Sequence, residues 1–165
     1  QHFFVDTVSV AKATRITPFL SHIHSLKPNL MEAQAIAGTD FGASPSNAQL
    51  LQLAHWFMSQ GVKHLYLSLG PKGLLYSDAH QRFIIASSEP AQSLDRVNSN
   101  GAGDAMMAAI CDAWLSGCEA ADSAARALAC ARIAMASETT ISPHLTPHLL
   151  VRLLKEHPCI ITPLS

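Results

Sequence analysis

The chain has 165 residues, 48% hydrophobic and 14% charged, which is enough apolar material for a core of its own and too little charge for a disordered chain. Eleven Lys and Arg against twelve Asp and Glu leave a net charge of −1, so the composition carries no basic footprint for nucleic acid or anionic membrane. The uncharged stretch 41–62 is interrupted by Ser, Pro, Asn, Gln and His and does not read as a membrane span, and no leader with a cleavage site opens the sequence; the expectation is a soluble, cytoplasmic protein.

In chain order, 2–8 is a short apolar run that reads as a buried strand. It starts at once, without a methionine, which leads to the expectation of a fragment or a processed half. A second strand over 23–26 ends at Lys27-Pro28. Asn29-Leu30-Met31-Glu32 then has the form of a capping box, with Asn as cap and Glu reaching back from three residues on, for a helix that stops near Gly38. Ser44-Pro45 reads as the cap and first-turn proline of the next helix, with Leu51, Ala54, Phe57 and Met58 as its apolar stripe and Gly61 as its stop. A strand is expected over 63–69, a turn over 70–73, and a hairpin from 74–76 and 82–85. A polar loop over 87–93 leads toward Gly101-Ala102-Gly103-Asp104, which opens a long helix ending at Gly117. An alanine-rich helix follows over about 119–137, and Thr146-Pro147 starts a last one through Lys155. Strands alternating with helices imply an α/β fold, a mostly parallel sheet covered on both faces, in one domain over 1–165.

Cys111, Cys118, Cys130 and Cys159 form no CxxC pair, and three of them lie in alanine-rich stretches that read as helix; reduced structural thiols are expected. Nine histidines raise the question of a metal. His22 and His24 would share a strand face and His144 and His148 are four apart, but Pro147 intervenes and no carboxylate completes either set, so scattered histidines are expected instead.

Chemistry concentrates in Asn98-Ser99-Asn100-Gly101-Ala102-Gly103-Asp104. Small residues at a helix start let successive backbone N–H groups converge, and the helix dipole adds partial positive charge, which suits an anion. A carboxylate in the same turn would repel a merely bound phosphate. It makes sense where a hydroxyl loses a proton while a transferring phosphoryl group carries charge. Read alone, Asp104 is more often a helix-start carboxylate favoured by the dipole and nothing more. Asn29 and Glu32 alone are a capping box, Gly70 and Gly73 alone a turn, and Lys72 a solvated or phosphate-facing cation.

The stretch 98–104 resembles the second signature of the PfkB (ribokinase-like) carbohydrate and nucleoside kinases. Upstream and in the same order, Asn29-Leu30-Met31-Glu32 is similar to the family's N-x-x-E motif, and Ser68-Leu69-Gly70-Pro71-Lys72-Gly73 to its strand-end loop at the ATP phosphates and ribose. The resemblance implies the C-terminal half of a ribokinase-like α/β domain, with the N-terminal half that carries acceptor site and lid absent. It further implies a phosphotransferase that moves the γ-phosphoryl group of ATP to a primary hydroxyl of a sugar or nucleoside. In that reading Asp104 is the base, and the amides of Gly101, Ala102 and Gly103 are the anion hole. Ser68, Gly70, Lys72, Gly73, Asn100 and Cys130 belong to the ATP site, with Ala131, Ala134 and Ser142 at the adenine. Asn29 and Glu32 hold Mg2+ through water, together with the phosphates. Residues 4–12, 26–33 and 97–105 look like the pseudouridine kinases within the family; ribokinase, adenosine kinase and fructokinase relatives share most of these features.

Two departures stand out. Asn98 replaces the family's usual Asp beside a monovalent-cation site, and its neutral amide weakens attraction for K+. The chain is also about half the family's length, so an isolated half would expose apolar edge and associate; members of the family are often dimers through the lid, and only in that sense does the resemblance imply a homodimer for the full protein. The competing reading is a truncated module that binds nucleotide or a partner without catalysis. A dinucleotide-binding unit is disfavoured, because no G-x-G-x-x-G follows the first strand.

Overall fold

The structure is a computed structural model, and it describes residues 1–88, 100–137, 139, 143 and 145–165. The chain forms two compact units, one built from 1–70, 74–84 and 162–165, the other from 71–73 and 85–161. Strands β1 (Phe3–Asp6), β2 (Ile23–Lys27), β3 (His64–Ser68), β4 (Leu74–Ser77), β5 (Arg82–Ser87) and β6 (Cys159–Pro163) follow one another in sheet order. β1, β2 and β3 run parallel and β4 returns antiparallel to β3. The short connection from β4 to β5 closes where the Asp78 N–H meets the Gln81 carbonyl at 3.1 Å.

In the first unit, α1 (Val10–Ala13) and a 3-10 segment (Thr14–His22) link β1 to β2. The sequence reading missed this segment, which carries Pro18; a proline lacks the N–H an α-helix interior needs, and the tighter turn accommodates it. It also moves His22 out of the strand, so His22 and His24 do not share a strand face. α2 (Leu30–Ala37) starts at the expected capping box and ends at Gly38, whose φ of 65° is the left-handed conformation glycine adopts without strain. α3 (Asn47–Ser59) corrects the expected start: the cap is Ser46, not Ser44, because Ser46 and Gln49 complete a reciprocal capping box. Its buried stripe is Leu50, Leu53, Ala54 and Phe57, while Leu51 and Met58 are only half-buried. Leu26, Leu65, Leu67 and Leu75 from the sheet pack with Leu53, Ala54 and Phe57 in one core. Each large side chain buried there contributes about 1.5–3 kcal/mol.

In the second unit, α4 (Ala102–Leu115) packs on α5 (Ala120–Met135), and α6 (Pro147–Glu156) packs on α5. The sequence explains the close α4–α5 approach: Ala109 and Ala113 on one helix and Ala124, Ala127 and Ala131 on the other are buried, so small side chains fill the interface. Cys118 lies in the connection between these helices. β6 was absent from the sequence reading; its Ile160 and Ile161 are exposed, and it lacks the apolar-in, polar-out alternation of a half-buried strand. Gly73 has φ +94° and its Cα lies against the end of β5, where a Cβ would meet the Ile85 carbonyl oxygen at 2.1 Å. Only glycine fits both demands.

Candidate active site

The parallel strands of the first unit end at Asp6, Lys27 and Ser68. The crevice outside the carboxyl ends of such strands is where α/β folds bind ligands. Two of the motifs the sequence singled out begin there, Asn29 to Glu32 and Ser68 to Gly73. Asn29 follows β2 directly and pairs with Ser68 at the end of β3 through a parallel bridge. The Ser68 N–H donates to the Pro28 carbonyl at 3.0 Å, and its hydroxyl donates to the same oxygen at 3.4 Å. The structure therefore brings Asn29, Glu32 and Ser68 together.

Within α2 the Glu32 N–H donates to Asn29 Oδ1, and the Asn29 N–H donates to Glu32 Oε2, both at 2.9 Å. Oε2 also accepts from the Thr7 hydroxyl at 2.7 Å. Thr7 and Glu32 are each 5% exposed. Both donors use one carboxylate oxygen, and among the described residues no donor is bonded to Oε1. A carboxylate with one oxygen held and the other uncommitted fits a role toward a hydrated divalent cation. At the ends of β1 and β2 the Lys27 ammonium lies 2.9 Å from Asp6 Oδ1, the two side chains 6% and 20% exposed, across the β1–β2 register. Removing one member of such a buried pair strands the other charge.

At the other end of the first unit's sheet, where β3 begins, lies a polar chain that was not foreseen. His64 Nδ1 is 2.7 Å from the Tyr76 hydroxyl, which donates to Asp78 Oδ2 at 2.8 Å. The phenol has one proton and gives it to Asp78, so His64 Nδ1 carries the hydrogen in this bond. Burial works against the Asp78 charge, but the backbone N–H groups of His80 and Gln81, the Tyr76 hydroxyl and nearby His64 outweigh it and hold the carboxyl below its usual range. Burial, then the Asp78 bond, pushes the Tyr76 phenol well above its ordinary value. His24 stacks near His2 and His64, with ring centroids 4.6 and 4.7 Å away. Burial, then His64 and His2, lowers its pKa to about 4. Among the described residues no group of His, Cys, Asp and Glu is arranged to hold a metal.

In the second unit Gly101, with φ 80°, is the cap of α4, and its carbonyl accepts from the Ala105 N–H at 2.9 Å. Ala102 and Gly103 form the first turn, and Asp104 stands exposed on it. Asn100 precedes the cap and is exposed, as is Lys72, while Gly73 is buried. Gly70, exposed, is the last residue of this stretch of the first unit and opens the 3-10 turn after β3. Cys130 is 5% exposed within α5, and burial pushes its thiol up to about 11, as for an inert thiol. Ala131 and Ala134 are buried on the same helix. Asn98 and Ser142 lie outside the described residues.

Residues 4–147 match the family model of the pfkB family carbohydrate kinases. The chain belongs to the pfkB family. It is 34% identical to pseudouridine kinase of Escherichia coli strain K12 over 157 residues, 95% of this chain and 48% of that protein. Its fold is ribokinase-like. An inferred sugar kinase from Clostridium perfringens superposes at a TM-score of 0.89 with 24% identity, over 98% of this chain and 49% of that one. An inferred ribokinase II from E. coli, solved with ATP and Mg2+, superposes at 0.77 with 17% identity, over 93% and 48% of the two chains. This pfkB chain thus spans about half the length of the relatives it matches. No helix among its described residues is long and apolar enough to cross a membrane.

Thr7, Asp6 and Lys27 are the residues of this site that the sequence reading missed. A hydroxyl 25 positions from the carboxylate it touches leaves no mark in a linear pattern.

Proposed function

We propose that the intact protein transfers the γ-phosphoryl group of MgATP to a primary hydroxyl of a sugar or nucleoside, with pseudouridine the preferred acceptor. The observation that carries this is Asp104, an exposed carboxylate on the first turn of a helix opened by a left-handed glycine. In the reaction Asp104 accepts the proton of the acceptor hydroxyl, so the nucleophile forms only as the phosphoryl group is transferred. The backbone N–H groups of Gly101, Ala102 and Gly103, which an α-helix leaves without internal partners, stabilise the charge that develops on the transferring oxygens. Ser68, Gly70, Lys72, Gly73, Asn100 and Cys130 bind the nucleotide. Asn29 and Glu32 orient its phosphates and hold Mg2+ through water; the metal, when bound, neutralises phosphate charge. The 34% identity to pseudouridine kinase supports the acceptor.

The test is phosphorylation by the intact protein with γ-labelled ATP and Mg2+, offering pseudouridine, uridine, ribose and a sugar phosphate in parallel. The expected result is label transferred to pseudouridine with the highest kcat/KM. Transfer to a different acceptor overturns the pseudouridine assignment. No transfer to any hydroxyl acceptor overturns the kinase reading and leaves the nucleotide-binding module in its place.

A further inference from the structure

We infer that Thr7 is a positioning residue for the divalent cation, acting through Glu32 rather than by touching metal or nucleotide itself. The inference rests on the role proposed above for Glu32. A glutamate carboxylate can rotate about its last bond and present either oxygen. In this fold it cannot rotate freely. The Asn29 N–H and the Thr7 hydroxyl both converge on Oε2, from α2 and from the residue after β1. The capping bond alone fixes one oxygen to the helix start. The hydroxyl adds a second direction and crosses from one chain segment to another. Together they define the plane of the carboxylate and leave Oε1 as the uncommitted oxygen.

The energetic case is that a buried carboxylate demands such donors. Thr7 and Glu32 are each 5% exposed, so water competes little for the bond. A 2.7 Å hydroxyl-to-carboxylate contact is of the short, charge-assisted kind. Loss of the hydroxyl frees the carboxylate to turn, and a freed ligand binds a hydrated cation less well. Outer partners of metal-facing carboxylates have this effect generally, with losses of about 10–100-fold in metal affinity.

A purely structural bond would tie β1 to α2 without any effect on the metal. The experiment separates the two. Mn2+ binding to the intact protein is measured by electron paramagnetic resonance in the presence of a nonhydrolysable ATP analogue, for wild type, Thr7→Val, Thr7→Ser and Glu32→Gln. The Mg2+ concentration giving half-maximal turnover is read on the same proteins, and thermal unfolding reports whether each is folded. Expected is a Mn2+ affinity about 10-fold lower in Thr7→Val, near wild type in Thr7→Ser, and lowest in Glu32→Gln. Thr7→Val within twofold of wild type, with Glu32→Gln impaired, overturns the inference and leaves the Glu32 role standing. An unimpaired Glu32→Gln overturns both. Equal losses in Thr7→Ser and Thr7→Val show that shape rather than the hydroxyl matters, and overturn the inference as well. Should Thr7→Val fail to fold, Thr7→Ala carries the same comparison with Thr7→Ser.

Discussion

His24 and His64 are histidines that the fold keeps neutral. Both sit on strands of the first unit, and burial is the largest cause lowering each. For His24 the neighbouring rings of His64 and His2 add to it, and its pKa falls from 6.5 to about 4. The Asp78 charge pulls His64 the other way but does not reverse the direction. The unfolded chain takes up a proton at His24 near pH 6.5 and the folded chain only near 4. Folding therefore releases protons in that window. Stability from this group is full above about 6.5 and is lost as the pH falls toward 4. Thermal unfolding between pH 7 and 4 should show a falling Tm, and His24→Phe should flatten that fall, since Phe4 already packs against this ring at 5.1 Å. An unchanged slope in the variant would show that other groups govern acid stability.

The two capping boxes allow a comparison at the level of the element. Asn29 with Glu32 and Ser46 with Gln49 are built alike, each with reciprocal bonds between cap and third residue. Their positions differ: the first stands at the strand ends beside Ser68, the second opens α3 on an exposed surface. Replacing either cap by alanine should cost about 1 kcal/mol in urea unfolding. Only Asn29→Ala should also lower kcat, with Ser46→Ala turning over as wild type does. Equal turnover in the two would reduce Asn29 to a cap. The same comparison explains how far helix starts can be read from sequence. Asn29 was legible because cap and glutamate stand together before an apolar run. Ser46 was misplaced by two residues, because Ser44-Pro45 offers a competing cap and only the reach of the Gln49 side chain decides between them. The 3-10 segment and β6 were not legible, since Pro18 interrupts the first and the second lacks the alternation of a half-buried strand.

At the scale of the whole chain, the α/β class and the element order follow from the alternation of apolar runs, caps and glycine stops. The candidate residues and the polar contacts of the strands are legible only in part. Gly101 to Asp104 and Asn29 to Glu32 are local motifs, so residue type and spacing reveal them. The Thr7–Glu32 contact, the Asp6–Lys27 pair and the His64–Tyr76–Asp78 chain exist because β1, β2, β3 and β4 lie side by side, and register of that kind is a property of the sheet. Membership of the pfkB family agrees with the local motifs and rests on a match across 4–147. The central claim is that Asp104 takes the proton from the acceptor. Steady-state phosphorylation by the intact protein carrying Asp104→Asn tests it most directly. Asp104→Asn should lower kcat by about 10²–10⁴-fold with KM for ATP within a few-fold, because the base acts in the transition state. Retention of most of the turnover by Asp104→Asn would contradict it.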